Sequence, residues 1–370
     1  MTIFSSLRDS SGPTAAVEIA ATRVSGASLE WRGRQAAVTA HALETLPEGA
    51  LVSSLTAANI VDRAAVAGAL GRVLERIGHP RRIALVVPDP VAKVSLIPFE
   101  RVPERAADLE ELVRWQVRKA APFPIEEAQI SYVAGRRSPE GQEFVVSLAR
   151  HNVIVEYEQL AAAEGAHAGI VDLATFNVIN AVLASDVVSS LNPEVVSGAT
   201  VGSGFSRTKS ETTAPAGDWL LVNVAPDYVT LAILRGPHLL FFRNRAAETD
   251  GTLADLVHQT AMYYEDRLGG GGFERVLLAG AAGVDPRRAG DVELVRRSLQ
   301  SRLAAAVDMV DPRAAVTLTD RISAGPAFLD TLAPLVGVLM RGKPGDPGKR
   351  RGPGERSEPG ERSEPGDRVA

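Results

Sequence analysis

The sequence predicts a duplicated α/β protein: two lobes, each built on a mixed sheet, with a smaller unit inserted into the first. Two observations carry that expectation. The order strand, strand, strand, helix, strand occurs twice along the chain, and a strand–helix–strand–strand run interrupts the first copy. Strands joined by short turns pair antiparallel, whereas a strand reached through a helix returns parallel, so each copy should give a sheet of both kinds.

The first copy opens with β-type runs at 15–21, 26–31 and 35–43, separated by short turns. A helix over 62–77 follows, with Val66, Leu70, Val73, Leu74 and Ile77 at helical spacing and Gly78 placed to end it. A mostly apolar run at 82–87 then reads as a buried strand. The second copy repeats the pattern with strands at 219–224, 228–234 and 238–243, a helix over 252–268, the glycine connection 269–272 and a strand at 275–279. Between the copies lie a strand at 93–97, a helix over 109–121, and strands at 128–133 and 143–149. A helix over 152–164 and a strand at 169–172 lead back to the first lobe.

The expected organisation is an extension at 1–14, a first lobe at 15–91 and 166–191, and an inserted subdomain at 92–165. A linker rich in Gly, Ser, Thr and Pro at 192–218 leads to a second lobe at 219–340 and a tail at 341–370. The apolar helix over 324–340 is expected to pack on the second lobe. In the tail, Pro-Gly-Glu-Arg-Ser-Glu occurs at 353–358 and again at 359–364. Such a polar repeat buries too little surface to offset its chain entropy and is expected to be disordered.

Composition excludes several classes of function. A net charge of −5 gives no general basic field for nucleic acid. The absence of cysteine excludes disulfides and thiolate chemistry. The opening residues lack a signal core, and no apolar run approaches the roughly 18 residues of a membrane span, so a cytoplasmic protein is expected, touching membrane only through a partner. His41, His79, His151, His167, His238 and His258 are scattered without metal-ligand spacing. The glycine run 269–272 lacks the Lys-Ser/Thr of a phosphate loop, and Gly202-Ser203-Gly204 lacks the context of a nucleophile elbow, so no catalytic residue and no metal ligand is assigned.

Three local stretches carry a family resemblance. They are Leu85-Val86-Val87-Pro88-Asp89 followed by Ile97-Pro98, then 111–116 running into Ala121-Pro122-Phe123-Pro124-Ile125-Glu126-Glu127, and Val276-Leu277-Leu278-Ala279-Gly280. Taken alone, Pro122 and Pro124 need only stop a helix and extend the chain, and Trp115, in register with Leu112, fits core or half-buried packing. In this order, inside a split duplicated frame, the stretches resemble the PilM family of type IV pilus assembly proteins. The resemblance spans about 15–339 and implies an actin-like (RNase H-like, duplicated) two-domain fold of the FtsA and PilM branch.

That family places ATP and Mg²⁺ between two Asp-x-Gly hairpin turns and an adenosine turn. The matching positions here are Glu18, Ala20 and Thr22, then Asn223 and Ala225, then Gly280 and Gly283. Glutamate is longer than aspartate, Ala20 and Ala225 add methyl groups where backbone should meet phosphate, and Asn223 carries no charge. Ser25 stands where a lysine is usual, Pro226 removes an N–H, and Asp227 is expected beyond the turn, facing solvent. The resemblance therefore implies a degenerate nucleotide site without efficient hydrolysis, with weak ATP binding through Gly280, Gly283 and Thr22 still open.

It also implies a scaffold that captures the extended N-terminal peptide of a PilN-like inner-membrane protein, alongside other platform proteins and possible self-association. Leu112, Trp115, Phe123 and Ile125 are the groove residues so implied. The alternatives are an active actin-like ATPase with Glu18 as its acid, or a type II secretion component. An FtsA-like amphipathic anchor is disfavoured by the Pro and Gly recurring after 341.

Overall fold

The computed structural model describes residues 12–33, 35–191, 217–247, 252–283, 292–319 and 325–341. The predicted linker and tail, and Gly202-Ser203-Gly204, lie outside the described residues, apart from Gly217, Asp218 and Arg341 at their edges.

Strands β1 (Ala15–Ala20), β2 (Arg23–Arg32) and β3 (Gln35–Thr45) form antiparallel hairpins, as their short turns require. Helix α1 (Arg63–Arg76) begins where the Asp62 carboxylate accepts the Ala65 N–H, and it leads to β4 (Arg82–Val87), parallel to β1. The inserted unit holds β5 (Ala92–Phe99), α2 (Ala106–Val117), β6 (Ala128–Ser138) and β7 (Gly141–Arg150). Helix α3 (His151–Ala163), β8 (His167–Leu173) and α4 (Ala174–Leu191) complete this half. The second half holds β9 (Asp218–Val224), β10 (Tyr228–Arg235), β11 (His238–Ala246), α5 (Leu253–Leu268) and β12 (Arg275–Ala279). It continues with α6 (Val292–Leu303), β13 (Val307–Met309), β14 (Thr317–Leu318) and α7 (Pro326–Met340).

The sheet orders are β14-β3-β2-β1-β4-β8, β11-β10-β9-β12-β13 and β5-β7-β6. Both large sheets are mixed: β4 and β8 join the first in parallel, and β12 and β13 join the second in parallel. One face of the first sheet is covered by α1 and α3, through Val66, Leu70, Val73, Ile154, Tyr157 and Leu160. Helix α3, expected within the insertion, thus belongs to the first lobe's core, because its apolar face fits beside α1 rather than on the three-stranded sheet. The outer face of the second sheet is covered by α5 and α6 through Leu256, Val257, Tyr264 and Leu299.

The inner faces hold an exchange that the sequence did not predict. Helix α7 was expected on the second lobe, but it lies on the first sheet, where Leu332, Leu335, Val336 and Leu339 meet Ala16, Ala27, Val38, Ala84 and Val86. Strand β14 likewise pairs with β3 of the first sheet. Conversely α4, which leaves the first sheet, sends Val178, Ile179 and Val182 against Trp219, Leu221, Ala232 and Leu234 of the second. The two helices cross closely at Gly337, where a Cβ would collide with the Asn177 carbonyl oxygen. Among the described residues no helix is long and apolar enough to cross a membrane.

Candidate functional site

Two places gather functional side chains: the seam between the lobes, where the nucleotide positions lie, and a cavity beside the inserted sheet.

At the seam, Glu18 is buried on β1 and its Oε2 accepts from Arg23 Nη2 at 3.1 Å and from Ser25 Oγ at 3.2 Å. Ser25 therefore serves the carboxylate itself. Arg23 Nε is buried without a hydrogen-bond partner. Ala20 and Thr22 sit at the turn that follows, and the Thr22 carbonyl accepts from Leu46 N at 2.8 Å. Across the seam, β12 pairs with β9 so that Ala279 lies beside Asn223. Gly280 adopts φ +78°, and a Cβ there would run into the Val224 carbonyl, so the predicted adenosine turn rests directly on the second hairpin. The N–H of Ala282, between Gly280 and Gly283, donates to Asp330 Oδ2 of α7 at 2.7 Å.

The centre of the seam is Asp89, fully buried after β4. Its Oδ1 accepts from Thr175 N at 3.0 Å, and its Oδ2 accepts from the Thr175 hydroxyl and from Thr230 Oγ1 at 2.6 Å. Each threonine oxygen in turn accepts an amide: Asn223 Nδ2 reaches Thr175 at 2.7 Å and Asn244 Nδ2 reaches Thr230 at 2.9 Å. Asn223 is thus a donor in a relay that joins the lobes. Asp227, expected to face solvent, instead accepts from the Ser53 hydroxyl of the first lobe, because the β9–β10 turn folds against the segment after β3. Tyr228 is buried among these acids, and burial, Asp89, Glu18 and Asp227 all push its hydroxyl well above the usual range.

Burial raises the Asp89 pKa from 3.8 to about 6, outweighing the hydrogen bonds from Thr175 and Thr230. Its ionised form is therefore a cost of the folded state. The stability it contributes is complete below pH 3.8 and is lost as pH rises to about 6. Asp89→Asn is expected to remove that dependence: the wild-type-minus-variant difference in unfolding free energy should change by on the order of 2–3 kcal/mol across this window. Urea titrations at a series of pH values check this, and a constant difference would overturn it.

The cavity, about 220 Å³, lies between the inserted sheet and the lobes. Val145 and Ser147 of β7 form one wall, Phe176, Ile179 and Leu183 of α4 a second, and Leu234 and Leu239 of the β10–β11 hairpin a third. The fourth wall is β6, from which five consecutive residues, Ser131 to Gly135, line the space. Side chains alternate between the faces of a strand, so a continuous run means that the cavity meets the strand's edge. Strand β6 is an outer strand of its sheet, and Val133, 56% exposed, is left uncovered there. At one end Asp172 pairs with Arg341.

Three of the four residues implied for a groove gather at the inserted unit's core, and the fourth does not. Ile125 is buried in the inserted unit's core, Leu112 and Phe123 pack against that same core, and Trp115 is 63% exposed on α2. The core or half-buried packing expected of Trp115 is thus not found, because Val113 and Val117 supply the buried face of α2. Of the seven nucleotide positions, Glu18 lies near Tyr228 of the second lobe and Asn223 bonds to Thr175 of the first. The partners missed were Asp89, Thr175, Thr230 and Asn244, together with the whole cavity wall. Asp89, an acid between two prolines just past the apolar run 83–87, was the one local signal available. Among the described residues no group of three His, Asp or Glu side chains could hold a metal ion.

A family model described as type IV pilus assembly protein PilM matches residues 16–205. No curated protein matches the sequence. Among solved structures, the PilM-PilN type IV pilus biogenesis complex aligns with 89% of this chain and 99% of its own, at 16% identity and a TM-score of 0.68. A Bacteroides thetaiotaomicron protein with actin-like ATPase fold and unknown function covers 82% of this chain and 93% of its own, at 9% identity and a TM-score of 0.45. The cytoplasmic domain of EpsL, an inner membrane component of the Vibrio cholerae type II secretion system, covers 71% and 80% at 10% identity and a TM-score of 0.40. The last two likenesses carry no argument.

Proposed function

Because the chain belongs to the family of the type IV pilus assembly protein PilM, we propose that it is an assembly scaffold whose working surface is the cavity beside β6, and that its seam no longer handles nucleotide. The cavity is the observation that carries this reading. A space of about 220 Å³ takes one or two apolar side chains and is far too small for a helix, which is roughly 10 Å across. Its long wall is a strand edge, and an extended peptide can hydrogen-bond to such an edge while alternate side chains enter apolar pockets. The solved relative is a complex with PilN, so a PilN-like segment is the occupant we propose. In this reading the protein works on the cytoplasmic side of the inner membrane and reaches it through that partner.

Several features of the seam support a degenerate nucleotide site. Glu18 is already neutralised by Arg23 and Ser25, and Asn223 gives its amide to the relay. Asp227 holds Ser53, and Ala282 N is taken by Asp330. A hydrated Mg²⁺ needs carboxylate oxygens free to accept from its waters, and Glu18 Oε2 and Asp227 Oδ2 are already engaged with protein donors. These engagements support the reading that the residues present fit Mg²⁺–ATP poorly.

The test is binding of a labelled peptide copied from the N-terminal segment of the PilN-like protein encoded in the same genome, with calorimetry of Mg²⁺–ATP alongside. Val133→Asp, which sets a charge on the uncovered strand, is expected to weaken the peptide about 100-fold while the melting temperature stays unchanged. Unaltered peptide binding would remove the cavity from the reading. Tight Mg²⁺-dependent ATP binding with turnover lost in Glu18→Gln would replace it with the ATPase alternative.

A further inference from the structure

The cavity has mixed polar and apolar walls and one carboxylate. Asp172, the residue before the last of β8, lines the cavity with only 16% of its side chain exposed. Its Oδ1 accepts the Leu173 N–H at 2.9 Å, and its Oδ2 is paired with the guanidinium of Arg341. A carboxylate so covered is costly unless a cation stays beside it. Arg341, by contrast, is partly open to solvent. It stands just past the last turn of α7, and its side chain is 44% exposed. It also lines the cavity, so a segment that fills that end meets this side chain. Among the described residues that line the cavity, Arg341 is the one ion-paired to Asp172, and His238 is the other basic side chain.

We propose that the segment taken by the cavity carries a cation, either a Lys or Arg side chain or a free α-amino group, which replaces Arg341 on Asp172. This rests on the cavity being the partner's seat, and it adds the partner's chemistry: extended, apolar, and positively charged at one defined position. A neutral segment filling that end would push Arg341 aside and leave Asp172 without a counter-ion, a penalty that a cationic segment avoids. Arg341 is then a resident competitor, filling the cation's place until the partner arrives.

Fluorescence anisotropy on the full chain, with the PilN-like peptide described above, tests the exchange. Arg341→Gln is expected to tighten binding about fivefold by removing the competitor, and Asp172→Asn to weaken it about tenfold. Neutralising the peptide's cation, by acetylating the α-amino group or exchanging Lys or Arg for Gln, should weaken binding to the wild-type protein by a similar factor. It should have little effect on Asp172→Asn, the signature of a direct pair. The peptide changes leave the protein untouched, so the test stands even where Asp172→Asn folds poorly. If every neutralised peptide binds the wild type as well as the parent does while Val133→Asp abolishes binding, the cavity stands and the charge exchange is wrong. If Val133→Asp also binds normally, both fail.

Discussion

Changing Asn223 to Asp, which restores the family's acid at the second hairpin, is expected to destabilise the protein by about 3 kcal/mol at neutral pH and to create no ATPase. Asn223 is 6% exposed, and its amide donates to the Thr175 hydroxyl, whose own proton goes to Asp89. An aspartate would present a second acceptor to an oxygen with no proton left to give. It would also bring a second carboxylate into the seam that already buries Asp89. Burial and like charge would both lift the new group's pKa above its unfolded value. The variant should therefore regain stability on acidification and lose it as pH rises through the folded pKa. Paired urea titrations at pH 5 and pH 8, with phosphate release measured at the latter, decide the matter. Wild-type stability together with Mg²⁺-dependent turnover would show that the relay has been misread.

The second large effect is steric. Gly337→Ala is expected to cost about 3 kcal/mol or more, and Gly337→Val to prevent folding. The added carbon meets the Asn177 carbonyl and the Ala181 nitrogen, which are backbone atoms of α4 that cannot rotate away. The helices would have to separate, and both carry core residues of the opposite lobe. Gly271→Ala is the control: its Cβ has open space, so its melting temperature should hold within the small range of a surface change. Equal melting temperatures for the two alanine variants would refute the close crossing.

The elements were legible because their signals are local. Short turns gave the hairpins, the spacing of Val66, Leu70 and Val73 gave α1, and the strand–helix–strand–strand order gave the inserted sheet. The relay was not legible, because Thr175 and Thr230 lie 86 and 141 positions from Asp89 and nothing in a local window links them. The seat of α7 was hidden for another reason. An apolar pattern shows that a face is buried, not which sheet buries it, and Asp330 to Leu339 are buried all round. Trp115 misled in the opposite sense: helical register with Leu112 suggested a core or half-buried position, but the buried stripe of α2 runs through Val113 and Val117.

The exchange of α4 and α7 has a consequence for how the chain comes apart. The first sheet is roofed by a helix from the far end of the sequence, and the second by a helix made before that sheet begins. Neither half is a self-sufficient folding unit. A fragment ending near 205, where the family match stops, would leave Ala16, Val38, Ala84 and Val86 without their cover. The lobes are interlocked, so they should melt in one cooperative transition. In synthesis the first sheet must wait, half-bare, until α7 has been made.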